Sequence, residues 1–264
     1  MQVFYQDLEL KTPNHTADDR EKFMRLLITM LAVLMAGGTM VVPSVASADS
    51  YDIQKAERRR LRDKANNLMQ RNAWSGVEKT FQEMRRLKKV AICWQDYLAG
   101  AQAAMNLGKP DLVIARLWGA KATMKKLPKS CDTKKNETTE QDTTTWLKAT
   151  MGEYAYVKIK AKKGVTVSWK EAPFNPSLRQ AGDAVINVLN KKRKYRGLMP
   201  VAEYKTSSGQ TFTVKTVKPT GWLKALKCVS KMSKKKRPKY TKCLKKIKAQ
   251  KFKLKGKKKS KKKK

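Results

Sequence analysis

Between residues 56 and 124 the apolar positions recur three or four residues apart, which is the spacing of one face of a helix. Leu61, Ala65, Leu68 and Met69 form a first stripe, and Val77, Phe81 and Met84 resume it after a break at residues 72–75. Tyr97, Ala101, Ala104 and Met105 form a third stripe, and Val113, Leu117 and Ala120 a fourth. Leu107-Gly108-Lys109-Pro110 separates the last two. Gly108 can take the positive φ that ends a helix, and Pro110 suits the first position of the next. Four helices in two hairpins are therefore predicted.

Further along, the period changes from 3.6 to 2. In "EYAYVKIKAKKGVTVSW", Val157, Ile159 and Ala161 alternate with Lys158, Lys160 and Lys162, and Val165, Val167 and Trp169 alternate with Thr166 and Ser168. The pattern predicts a hairpin turning at Lys162-Lys163-Gly164, with one buried face and one lysine-rich face. "NPSLRQAGDAVINVLNKKRK" predicts a helix with Asn175 as N-cap, Pro176 first, and Leu178, Ala181, Val185 and Leu189 inward; its basic C-terminal end suits the helix dipole. A second hairpin is expected in "VAEYKTSSGQTFTVKTV", turning at Ser207-Ser208-Gly209. After Pro219, Trp222, Leu226 and Val229 mark one amphipathic helix, and Tyr240, Cys243, Leu244 and Ile247 another, with Pro238 between them.

The fold class read from this pattern is α+β. A helical-hairpin region spans 49–124, and a polar linker containing Pro128 spans 125–145. A small α+β module covers 146–220, a basic helical hairpin 221–250, and a disordered lysine tail 251–264.

The two N-terminal hairpins superpose with a shift of 36 residues, pairing Leu61 with Tyr97, Ala65 with Ala101, Met69 with Met105, Val77 with Val113 and Phe81 with Leu117. Self-similarity at such a period marks helix–turn–helix arrays. Residues 56–124 resemble the tetratricopeptide-repeat family, most clearly in the second unit with its A-x-x-x-M-x-L-G turn at residues 101–108. The first unit departs from that pattern, with Asn72-Ala73-Trp74 where Leu-Gly would stand. The resemblance implies a scaffolding surface for a protein partner rather than a reaction, and two units need a further element to cover their open face. Residues 198–214 faintly resemble the PEGA-type β-modules of bacterial surface proteins.

Charge changes the picture most. The 264-residue chain carries a formal +40, which says little about fold and much about attraction to polyanions. Residues 221–264 hold 22 Lys and Arg and no acid, whereas residues 49–220 hold 35 basic and 16 acidic residues. The residues expected to meet a polyanion are Lys234, Lys235, Lys236 and Arg237, and the terminal Lys257, Lys258, Lys259, Lys261, Lys262, Lys263 and Lys264.

Which polyanion depends on compartment. Residues 26–48 are uncharged and follow Arg20, Lys22 and Arg25; a dense apolar run at 26–36 leads to Gly37-Gly38, Pro43 and Ala46-Ser47-Ala48. This is the layout of a secretory signal cleaved after Ala48, with Ala46 and Ala48 as the small residues of the site. Its rivals are an uncleaved inner-membrane anchor, since 23 uncharged residues can just cross a ~30 Å hydrocarbon core, and a buried helix. The positive-inside rule leaves the bulk outside in either membrane case. Residues 1–23 read as an over-extended start, with Met24 as the natural one.

Cys93, Cys131, Cys228 and Cys243 form no C-x-x-C pair. In an oxidising compartment an even count favours disulfides; neighbour pairing, one of three connectivities, joins Cys93 to Cys131 and Cys228 to Cys243. Four free thiols are the alternative. The single histidine, His15, precedes the signal, so an exported chain would have none for catalysis or metal binding. The acidic cluster Glu137, Glu140 and Asp142 lies in the polar linker and is expected to be solvated. No catalytic, metal or cofactor residue is expected, and none of these features implies an enzyme.

The expectation is a non-enzymatic exported protein, periplasmic or secreted. Its basic terminus would meet an anionic envelope polymer, lipid headgroups or an acidic protein. The C-terminal hairpin is expected either to pack on the β module or to lay Trp222 and its apolar stripe into an anionic layer. The alternative is an intracellular, sequence-blind nucleic-acid binder, and nucleic acid would bind in vitro in either case. A solubilising tail with no dedicated partner is the plainest reading of the lysines.

Overall fold

The computed structural model describes residues 50–131, 137–235 and 237–256; the expected signal segment, with Ala46 and Ala48, lies outside them. The chain is α+β. Among the described residues four helices come first, α1 (Ser50–Gln70), α2 (Trp74–Arg86), α3 (Trp94–Asn106) and α4 (Pro110–Lys126), as the periodicity predicts. Every pair matched by the 36-residue shift is buried, or partly buried in the case of Met69 and Met105. Gly108 has φ +61° and Pro110 opens α4.

Two buried arginines cross these helices. Arg116 of α4 donates to Glu78 of α2 at 2.6 and 2.7 Å and to the carbonyl of Gly100 in α3. Arg58 of α1 donates to Cys93 Sγ, to the Ser130 carbonyl and to Asp96. Asp96, fully buried, also accepts from Arg62 at 2.7 Å and from the Cys93 N–H at 2.9 Å. Buried charge is tolerated where opposite charges and hydrogen bonds meet it.

The expected linker is a linker only in part. From Glu137 the chain is helical, α5 (Glu137–Glu153), and this helix packs along α4. Threonine is a weak helix former, which is why the stretch reads as a loop. Here Thr143, Thr144 and Thr150 bond back to the carbonyls of Thr139, Glu140 and Trp146 at 2.7–2.9 Å, satisfying each hydroxyl within the helix. Thr143, Leu147 and Thr150 form its buried face. Glu137 and Glu140 stand in its first turn, where the dipole favours acids.

Six strands follow, in two sheets: β1 (Tyr154–Ala161), β2 (Val167–Trp169), β3 (Lys194–Pro200), β4 (Ala202–Thr206), β5 (Thr211–Val214) and β6 (Gln250–Leu254). The first sheet has the order β3-β1-β6 and the second β2-β4-β5. The β4–β5 hairpin forms as expected around residues 207–209. The first expected hairpin does not. The turn at residues 162–164 exists, with Val165 N–H bonded to the Lys162 carbonyl, but it passes the chain from one sheet to the other. β1 pairs antiparallel with β3 and parallel with β6, while β2 pairs with β4. The two edges of β1 are taken by β3 and β6, which leaves neither for β2.

Helix α6 (Pro176–Lys192) has the expected cap, Asn175 Oδ1 accepting from the N–H groups of Ser177 and Leu178. Asn190 of α6 bonds both backbone groups of Val167. A run of rings, Trp169–Tyr204–Phe212–Phe252, with centroids 4.9–5.3 Å apart, joins the second sheet to β6. The opposite face of β1 presents Tyr154 and Tyr156 to the helices, so the first sheet has a core on each side.

The C-terminal segment departs most from expectation. Helix α7 (Pro219–Met232) and the short α8 (Thr241–Leu244) form the expected pair, but the buried stripe of α7 is Trp222 and Ala225, and Leu226 is 40% exposed. Trp222, at 2% exposed, packs edge-on against Trp118 at 6.4 Å; it is core, not a membrane-facing wedge. Residues 251–254, expected at the root of a disordered tail, form strand β6 together with Gln250, expected at the end of the helical hairpin. Phe252 and Leu254 alternate with lysines there, a period of two hidden by the charge.

Candidate polyanion-binding surface

Strand alternation places Val157 and Ile159 in the core and Lys158 and Lys160 outside. The register then sets like beside like. Lys158 stands opposite Arg196 of β3 and Lys251 of β6, and Lys160 opposite Lys194 and Lys253. Residues directly opposite one another share a face, with Cβ atoms about 4.5–5.5 Å apart. The result is two rows of three exposed cations, separated by two residues of strand, roughly 6.6 Å. Among the described residues none of the six is in an ion pair. Opposed like charges destabilise a sheet, so the strands are held from the other face, by the ring stack and the apolar core. Such a grid raises the local concentration of any polyanion.

The grid borders a cleft of about 420 Å³ where the α3–α4 turn, α6, α8 and the first sheet meet. Arg196 belongs to both, and its guanidinium lies 5.9 Å from the Tyr156 ring centre. Lys109, Lys242 and Lys245 complete the cationic rim. Asp111 is the one acid on the lining; it faces solvent, but the cleft walls strip enough water from it to push its carboxyl up. Tyr195 donates to the Leu198 carbonyl at 2.7 Å, and burial, with the nearby Asp111, pushes its hydroxyl well above the ordinary tyrosine range.

Of the residues singled out by sequence, Lys234 and Lys235 lie exposed between α7 and α8. Arg237 lines a second groove, of about 390 Å³, with Arg85, Arg86 and Lys239. Lys236 and the terminal lysines 257–264 are outside the described residues. Both disulfides form, Cys93–Cys131 and Cys228–Cys243, by neighbour pairing. The first fixes the start of α3 to the chain after α4, and the second clamps α7 to α8. They fit a protein that folds outside the reducing cytoplasm. Among the described residues no helix is long and apolar enough to cross a membrane.

Sequence reasoning found the lysine-rich face of β1 but not its neighbours, because strand partners are not written in a local period. Lys251 and Lys253 carried a usable signal, the alternation with Phe252 and Leu254. The cleft had none, since its walls come from four separated segments. In comparisons with known proteins, no family model, curated protein or solved structure matches this chain.

Proposed function

We propose that this chain is an exported, non-enzymatic binding protein held to an anionic envelope surface by its C-terminal segment. One observation carries the reading. The lysine-rich end continues directly from β6, the strand that contributes Lys251 and Lys253 to the six-cation grid. Tail and folded platform thus have one sign and share one root. Each lysine near an anionic surface contributes on the order of 1 kcal/mol, so a platform and tail acting together hold firmly at moderate salt. The two disulfides support export, and the signal layout of residues 24–48 favours the periplasm or the exterior. There the available polyanions are glycolipid, lipid headgroups, wall polymers and acidic proteins. The paired helices α1–α4, tetratricopeptide-like in spacing, offer a surface for a protein partner.

The test has two arms. N-terminal sequencing of the protein from fractionated cells should give a start at Asp49 in the exported fraction. The purified protein should bind vesicles containing anionic lipid and not zwitterionic ones, with affinity falling as salt rises. Unprocessed chain recovered with the nucleoid, together with tighter binding to duplex DNA than to anionic vesicles at equal salt, overturns the reading in favour of nucleic-acid binding.

A further inference from the structure

The cleft beside the grid has a chemistry of its own. Its walls are chiefly apolar: Ala184 and Val188 of α6 face it from one side, Leu244 of α8 from another, and Tyr156 and Leu198 form its floor. Ala184 and Val188 stay exposed, Val188 at 38%, although they continue the stripe that buries Ala181 and Val185. The helix therefore extends its apolar face past the core and into the cleft. The rim is cationic on three sides, from Lys109 on the α3–α4 turn, Arg196 on β3, and Lys242 of α8 with Lys245 just after it. Four cations face one carboxylate there.

An apolar pocket with a charged mouth selects a ligand having both parts. A bare sugar or inorganic anion leaves the walls wet, and a neutral apolar molecule leaves the rim unused. Lining hydroxyls are few, and Tyr195 already spends its proton on Leu198, so the site is poorly furnished for a polyhydroxyl ligand. The volume of about 420 Å³ holds roughly a dozen groups of the ~30 Å³ that one water occupies in the liquid. We propose that this cleft binds a single-chain amphiphile with a phosphate or carboxylate headgroup, its chain against Ala184, Val188 and Leu244 and its headgroup between Arg196, Lys242 and Lys245. The site goes beyond surface attachment and does not depend on the terminal lysines.

Decyl phosphate, kept below its micelle concentration, is the probe, titrated calorimetrically into the protein purified from cells expressing the full chain. Saturable binding at one molecule per chain is expected, with decyl maltoside and inorganic phosphate at least tenfold weaker. Val188→Asp, at an exposed helical position that leaves the core alone, should weaken decyl phosphate at least tenfold. Lys242→Gln with Lys245→Gln should weaken decyl phosphate and leave decyl maltoside unchanged. Replacing lysines 257–264 by glutamine should leave the stoichiometry and affinity as they were. If that tail variant loses the binding, or if Val188→Asp keeps it, the ligand sits on the cationic surface and the cleft assignment is wrong. A failure confined to the cleft variants leaves vesicle attachment untouched, so the two readings fail separately.

Discussion

Arg116 in α4 holds Glu78 in α2 by two hydrogen bonds while its guanidinium carbon lies 4.2 Å from the centre of the Phe81 ring. A third bond, to the Gly100 carbonyl, adds α3. One side chain thus fixes three helices.

Arg116→Ala should therefore cost about 3 kcal/mol, the lower end of the range for a broken buried pair because Glu78 keeps some contact with water. Urea denaturation of the purified variant measures this; a loss under about 1 kcal/mol would show that the ring stack and helix packing suffice.

The same pair sets an acid response. Burial works to raise the Glu78 carboxyl, but hydrogen bonds from Arg116 and Gln82 outweigh it and hold the group below the ordinary carboxylate range. A carboxyl lowered on folding stabilises above its unfolded value, about 4.3, and that contribution fades as pH falls from there through the folded value. Glu78→Gln should accordingly be less stable than the parent at pH 7, with the gap narrowing below pH ~4.5. Stability curves of both proteins from pH 7 to 3 check the sign.

Each disulfide should be separable by its loop. In the chain-entropy treatment a 15-residue loop is worth roughly 3 kcal/mol and a longer one more, so losing Cys93–Cys131, with a separation of 38, should cost more than losing Cys228–Cys243, with a separation of 15. Paired Cys→Ser variants compared by thermal melting give the order. The reverse order would mean that residual structure, rather than loop length, governs the unfolded chain.

Gly119 meets Tyr97 where α4 passes α3, and a Cβ there would stand 2.4 Å from a ring carbon. Helix propensity alone would make Gly119→Ala favourable by about 1 kcal/mol. The clash reverses the sign, because Tyr97 is packed against Phe81 and Tyr240 and overpacking costs about 1–3 kcal/mol. Gly152→Ala in α5, with nothing within 4 Å, is the control and should melt higher than the parent.

The cation grid should oppose folding and favour binding at once. Raising salt from 0.05 to 0.5 M should raise the melting temperature, since screening relieves the rows. Lys158→Gln should raise it at low salt by an amount equivalent to a few tenths of a kcal/mol up to ~1, while weakening attachment to anionic vesicles. A variant that gains stability and keeps full vesicle binding would detach the grid from the function.

Local patterns were legible where one face of one element is buried. The stripes of α1–α4 and α6, the cap at Asn175 and the β4–β5 turn all stood in the sequence. Threonines 143, 144 and 150 look like loop residues until their hydroxyls find carbonyls four residues back, and Phe252 and Leu254 look like tail until β1 supplies an edge. The spacing of Leu226 predicts an inward side chain, but Ala225 faces the core one position earlier and turns Leu226 out. For the threonines the deciding bond lies one turn back, whereas for β6 and α7 the deciding contact comes from a distant segment.

The parallel pairing of Val157 with Gln250 bears on timing during biosynthesis. β1 emerges from the ribosome long before the strand that completes its second edge, and non-local parallel pairing is intrinsically slow. Until β6 has been synthesised, one edge of β1 has no partner. The export proposed above would be served by a pairing that only the last described strand completes.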